Sequence, residues 1–175
     1  MIGRSQLQQQ LQILSSDRVL FYGIGNEGRQ DDGVGIRLIS ALEQFCLPSG
    51  WDLDANYQLN AEVALQISEY DVVIFLDASR KQVEAPFYIE KISPDNRIAF
   101  STHAMSAASI LGLCEKLYVS SPRCFWIGIP GFSWEFGEMM SEEAERNTKC
   151  LLNEISILIN DFDVQARGLT RRSHA

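Results

Sequence analysis

Three side chains of this 175-residue chain have the type and placement to do chemistry together: Asp32, Asp77 and His103. Asp32 follows the glycine-rich stretch Gly23-Ile24-Gly25-Asn26-Glu27-Gly28, and Asp77 closes the apolar run Val72-Val73-Ile74-Phe75-Leu76. His103 lies in Ser101-Thr102-His103-Ala104-Met105, a polar turn just ahead of a helical pattern. Two carboxylates and one imidazole form an O,O,N donor set suited to a borderline divalent metal such as nickel or zinc. An open position on such a metal lets it polarise a carbonyl or activate a water. The only other histidine, His174, sits in a polar, basic tail, so His103 is the imidazole available for this role. Each residue also has a plainer reading. Asp77 can cap the turn after its strand, Asp31 and Asp32 can serve as helix N-cap and first-turn charge, and a lone histidine can be structural.

The trio meets only if the surrounding elements deliver it to one place. A β-rich run at residues 18–23 stops at the glycine turn and restarts as a helix with Val34, Leu38, Leu42 and Phe45 on one face. Pro48-Ser49-Gly50 ends that helix. Strands are predicted at 51–54, 71–77, 87–92 and 125–129, the third of these nearer an edge because Pro86 precedes it. Helices are predicted at 5–14 (Leu7, Leu11, Leu14), at 61–69 with Asn60 as cap, and along the face Ala107, Ile110, Leu111, Cys114, Leu117. Ser141 caps a long last helix with Glu142 and Glu143 in its first turn and Ala144, Thr148, Leu151, Leu152, Ile155, Leu158 and Ile159 on its buried stripe. Alternating strands and helices predict one α/β domain over 1–165, a three-layer sandwich around a mostly parallel sheet of about five strands. A basic, disordered tail is expected at 166–175. In a parallel sheet, the residues after the first strand and at the end of the 71–77 strand emerge at the same carboxyl edge, where α/β proteins place ligands.

Composition narrows the partners. A net charge of −8 argues against nucleic acid and anionic membrane. The apolar runs are far shorter than the roughly 20 residues that span a bilayer, and the N-terminus lacks a signal-peptide core, so a cytoplasmic protein is expected. Cys46, Cys114, Cys124 and Cys150 form no C-x-x-C pair and are read as free, apolar core thiols. Templates for a serine hydrolase, a zincin and a phosphate-binding P-loop are absent. One rival is literal. Gly23 to Gly28 matches G-x-G-x-x-G after a strand, with Asp52 near the place of a ribose-binding acid. Glu27, Asp31 and Asp32 would repel the pyrophosphate that such a loop must hold, which weighs against a dinucleotide.

Gly23-x-Gly25-Asn26 with Asp31-Asp32-Gly33-x-Gly35, the strand ending Asp77-Ala78, Ser101-Thr102-His103, and Gly128-Ile129-Pro130 with Phe136-Gly137 and Ser141 occur in one order across about residues 18–145. Together they resemble the hydrogenase maturation proteases, endopeptidases that trim the C-terminus of the [NiFe]-hydrogenase large subunit. The resemblance implies a twisted, mostly parallel sheet between helices. It implies a metal-contacting, catalytic trio at Asp32, Asp77 and His103, with Asp32 at a position that is Asp or Glu in the family. It further implies that nickel arrives with the precursor rather than as a resident cofactor, with no organic cofactor. The sequence departs from the family at residues 54–62, where Asp54-Ala55-Asn56-Tyr57 replaces a Gly-Thr segment, and that loop is expected to border the cleft.

These readings lead to hydrolysis of one peptide bond near the C-terminus of a nickel-loaded large-subunit precursor, by the metal or by a carboxylate base. Asp31 is read as a helix cap in preference to a support behind the trio, and Trp134 and Phe136 as candidates for gripping the precursor or, equally, for packing over the sheet end. A non-catalytic module that checks nickel loading, and more remotely the dinucleotide-binding protein, stand as alternatives. A monomer is expected.

Overall fold

The computed structural model describes residues 6–95 and 105–172. β1 (Val19–Ile24), buried throughout, and β3 (Val72–Ser79), buried from Val72 to Leu76, pair in parallel as the centre of the sheet. β2 (Trp51–Asn56) adds to the free side of β1, and β5 (Arg123–Pro130) to the free side of β3. β4 (Tyr88–Lys91) runs antiparallel on the outer side of β5, giving the order β2-β1-β3-β5-β4. Its edge position agrees with the proline that precedes it, since a proline cannot donate to a ladder.

The pleat sorts the side chains into two apolar layers. Phe21, Ile74 and Ile127 point to one face, where α1 (Gln6–Leu11), α2 (Val34–Leu42) and α5 (Glu142–Arg172) bring Leu7, Leu38 and Ile155 against them. Leu20, Phe75 and Cys124 point to the other, covered by α3 (Val63–Ile67) and α4 (Ala107–Tyr118) through Ile67, Ile110 and Leu111. Successive residues on a strand must face opposite ways, so a strand covered on both sides reads as continuously apolar. This is the α/β sandwich expected from the sequence.

Several local expectations change. α1 is shorter than predicted because Gln12 adopts a left-handed φ of 50°, which turns Ile13 into the core and leaves Leu14 61% exposed. Asn60 does not cap α3 with its side chain; Glu62 occupies that position. Leu117 is exposed, and so are Cys46 and Cys150, while Cys114 and Cys124 are core thiols as expected. α5 extends to Arg172 and so takes in most of the segment read as a tail. No helix among the described residues is long and apolar enough to cross a membrane.

What matters for the site is a reversal of direction. From β1 the chain passes through α2 to β2 on one side, then through α3 back across to β3 on the other. The carboxyl ends of β1 and β3 are therefore neighbours from which chain departs in opposite directions, leaving a crevice between the departing loops. α2 seats directly over both strands at Gly35. A Cβ there would lie 2.3 Å from the carbonyl oxygens of both Ile24 and Leu76. Gly35→Ala should therefore lift α2 off the sheet and cost about 1–3 kcal/mol, the range for overpacked cores. Thermal unfolding should show a lowering of Tm by several degrees; an unchanged Tm would mean that the helix–sheet approach is not tight.

Candidate functional site

Asp32 is placed by a loop that satisfies its own hydrogen bonds. Leaving β1, Gly25 takes a φ of 136° and passes so close to the Asp32 carbonyl that a Cβ would lie 1.8 Å from it. Gly25 N–H donates to the Asn56 carbonyl at 3.2 Å and Asn26 N–H to the Asp32 carbonyl at 3.1 Å. Gly28 N–H is taken by Asn26 Oδ1 at 2.9 Å, and Arg29 N–H by the Asn26 carbonyl at 3.0 Å. The chain then makes a 3-10 turn, Gln30–Gly33, that presents Asp32 and leads into α2.

This geometry removes the dinucleotide alternative. A pyrophosphate loop needs backbone N–H groups turned outward, and here those of Gly25, Asn26, Gly28 and Arg29 are spent within the protein. The proposed ribose acid is also misplaced. Asp52 is level with Leu20, near the amino end of β1, and it accepts a hydrogen bond from Tyr70 Oη at 3.0 Å.

Asp77 comes to the same crevice from β3, level with Gly128 of β5. Asp32 and Asp77 share a cleft of about 560 Å³, with Trp126, Tyr57 and Met105 among its other walls. Burial raises the Asp77 carboxyl to about 7; the Ala78 N–H opposes that shift and the nearby Asp32 charge adds to it. A carboxyl group in this state is poised to hold a proton near neutrality, or to give it up to a cation. His103 lies outside the described residues, and Met105, two positions on, lines the cleft while its N–H donates to the Leu59 carbonyl. Among the described residues no group of three or more histidine, cysteine or acidic side chains is arranged to hold a metal. The pair Asp32–Asp77 is what the described residues bring together. The 54–62 loop borders this cleft as expected, through Tyr57, Gln58 and Leu59.

Asp31 has a different task from the one its position suggests. The 3-10 turn and α2 begin at Arg29 and Gly33 with no side-chain cap, so Asp31 does not cap its own helix. Its carboxylate is fully buried and reaches the loop between β5 and α5. There Oδ2 accepts from Phe132 N–H (2.7 Å), Ser133 N–H (2.9 Å) and Ser141 Oγ (2.7 Å), and Oδ1 accepts from Ser141 N–H (2.7 Å). Burial alone would raise this carboxyl, but the four donors outweigh it and hold Asp31 below the ordinary aspartate value. Ser141 in turn caps α5, accepting from Ala144 N–H at 3.2 Å. The sequence carried a sign of this link in the acceptor-rich Asp31-Asp32 and the capping Ser141. Nothing in the spacing joined residues so far apart.

Trp134 and Phe136, the two aromatic candidates, behave differently. Trp134 is half-buried under the Arg80 guanidinium, 4.3 Å from its ring centre, and packs against Gly131. Phe136 is 85% exposed, with Arg29 above its ring. Packing describes the first and availability the second.

No family model and no curated protein matches the sequence. The fold does have relatives among solved structures. A [NiFe] hydrogenase maturation protease, HycI, from Thermococcus kodakarensis superimposes with a TM-score of 0.69 at 22% identity, over 86% of this chain and 98% of that one. The hydrogenase maturating endopeptidase HybD from Escherichia coli gives 0.64 at 22%, over 79% and 89%. A hydrogenase 2 maturation peptidase from a Thaumarchaeota archaeon gives 0.57 at 24%, over 79% and 95%. The fold implied by the sequence resemblance is thus the fold observed.

The carboxyl pair makes a stability prediction. An aspartate that holds its proton to about pH 7 when folded, but only to about 3.8 when unfolded, favours the folded state below that window. The benefit is lost as pH rises from about 4 to 7. Asp77→Asn mimics the protonated form at every pH. Compared by thermal melts, the variant should match the wild type near pH 4 and exceed it at pH 8, by up to about 4 kcal/mol. Parallel stability curves for the two proteins from pH 4 to 8 would contradict a raised Asp77.

Proposed function

We propose that this protein is an endopeptidase that removes a C-terminal peptide from the nickel-loaded precursor of a [NiFe]-hydrogenase large subunit, in the cytoplasm. The observation that carries the reading is the meeting of Asp32 and Asp77 in one cleft at the crevice between β1 and β3, on a fold shared with hydrogenase maturation proteases. The sequence resemblance across the same blocks supports it.

In this reading nickel belongs to the substrate. Asp32 and Asp77 supply oxygen donors and His103 an imidazole nitrogen, so the precursor is recognised by its metal and docks with the scissile bond near the two carboxylates. Asp77 suits such a part-time ligand. It holds a proton in the free protein near neutrality and releases it when a cation approaches, so free and engaged states interconvert without leaving a bare buried charge. A carboxylate of the pair then serves as general base toward the attacking water, as in aspartic-type peptidases, and fixed orientation of substrate and water lowers the barrier. Phe136, exposed on the loop between β5 and α5, is the aromatic available for gripping the precursor, rather than Trp134.

Purified protein incubated with a nickel-loaded precursor should release a C-terminal peptide, seen as a mass loss in the large subunit. Asp32→Ala, Asp77→Ala and His103→Ala should each reduce that release by about 100-fold or more while leaving a folded protein. A variant with full activity removes its residue from the site. Stripping nickel from the precursor before mixing should block cleavage; equal cleavage of the metal-free precursor would eliminate recognition through the metal. Binding of the loaded precursor without any mass loss would make the chain a nickel-checking chaperone instead.

A further inference from the structure

The loop at residues 131–141 is joined to the Asp32 turn more firmly than a surface connection requires. Besides the four hydrogen bonds on Asp31, its own N–H donates to the Ser133 carbonyl at 3.1 Å. Gln30 N–H donates to the Gly137 carbonyl at 2.7 Å, Gly137 N–H to the Gly28 carbonyl at 2.9 Å, and Glu135 N–H to Gln30 Oε1 at 3.0 Å. Arg37 donates to the Glu138 carbonyl. Gln30 is held in the left-handed region at a φ of 49°, a conformation that a non-glycine residue keeps only when its surroundings impose it.

The same loop displays large apolar side chains to solvent. Phe136 is 85% exposed, Met139 82% and Phe132 47%. Such side chains on a mobile loop could fold back onto the protein. Fixed outward on a rigid loop bonded to the turn that carries Asp32, they form a surface for a partner. Phe132 itself is tied through its N–H to Asp31, and Asp31 is the immediate neighbour of Asp32.

We propose that Asp31 is a positioning residue: its buried carboxylate holds the 131–141 loop and the Asp32 turn as one rigid piece, so that a precursor seated on the loop meets Asp32 at a fixed distance. This rests on the peptidase reading, and the occupant of the loop is the large-subunit precursor. Asparagine is nearly isosteric with aspartate yet offers a single acceptor oxygen and places an NH2 group where the other oxygen stood. With the oxygen kept on Phe132, Ser133 and Ser141 Oγ, that NH2 group faces the Ser141 N–H, donor against donor. The loop remains attached by its backbone bonds but loses its fixed relation to Asp32.

The test uses the full chain and the nickel-loaded precursor, with kinetics and hydrogen exchange measured on the same samples. Asp31→Asn should lower kcat by between about 10- and 100-fold, the penalty of a small misplacement of reacting groups, with KM held within about threefold. Ser141→Ala, which deletes the hydroxyl donor to Asp31 together with the cap of α5, should lower kcat by a smaller factor in the same direction, beyond any loss of folded protein. In both variants amide protection should fall over residues 29–33 and 131–141 while β1 and β3 stay protected. A kcat equal to the wild type, or a loss that merely follows the folded fraction, overturns the proposal. Should Asp31→Asn fail to fold, Ser141→Ala decides alone. Should the wild-type protein cut no precursor, the peptidase reading fails, and the exchange arm still judges the coupling: unchanged protection in the two loops refutes it.

Discussion

A carboxylate with no access to water must find its solvation inside the protein, and Asp31 finds all of it on one loop. Burying a charge costs several kcal/mol even after relaxation. Hydrogen bonds to a charged group return roughly 1.5–3 kcal/mol each, and Asp31 collects them from Phe132, Ser133 and twice from Ser141. The balance is favourable only while all donors converge. That requirement fixes where β5 ends, how the following loop runs and where α5 starts, because Ser141 is both a donor to Asp31 and the cap of that helix. The seat of α5, and with it the layer containing Leu151, Ile155 and Leu158, traces back to one side chain beside the cleft.

Aspartates 31 and 77 show how environment assigns roles to identical side chains. Asp31 is fully buried, and Asp77 is largely so in the cleft it lines. Asp31 is surrounded by donors, which overcome the effect of burial and keep it ionised. Asp77 has the Ala78 N–H but also the charge of Asp32 beside it, so burial prevails and the carboxyl rises to about 7. One is suited to permanent structural service and the other to changing its charge when a substrate arrives. Asp32, between them in function, belongs to the turn that Asp31 fixes and to the cleft that Asp77 lines.

Much of this was legible in the residues. The apolar runs at 18–23 and 71–77 announce strands covered on both faces, and the proline before 87–92 announces an edge. Asp32 and Asp77 follow from strand-end logic in a parallel sheet. Failures came where a single backbone angle or a distant partner decided the outcome. Leu14 fits the helical period of Leu7 and Leu11, but the left-handed Gln12 breaks that period and substitutes Ile13. Asp31 looks like a helix cap because local pattern sees only its own helix, whereas its donors lie about a hundred residues further on. The G-x-G-x-x-G match was misleading for a related reason. The glycines are real turn residues, but whether their amides face outward depends on Asn56 and Asp32, which no motif contains.

The self-contained glycine loop has a consequence for how a large partner can be admitted. A wall whose amides are already paired, and which is fastened to the 131–141 loop, has little conformational entropy left to lose. It acts as an anvil. Adjustment to an incoming chain then falls to the other residues that line the cleft, among them Tyr57, 71% exposed, and Met105 ahead of α4. Tyr57 belongs to the segment in which this sequence departs from the pattern of the family it resembles. Accommodation of the cleft is thus uneven, with shape held constant at the glycine loop and open to variation at the segment beside it.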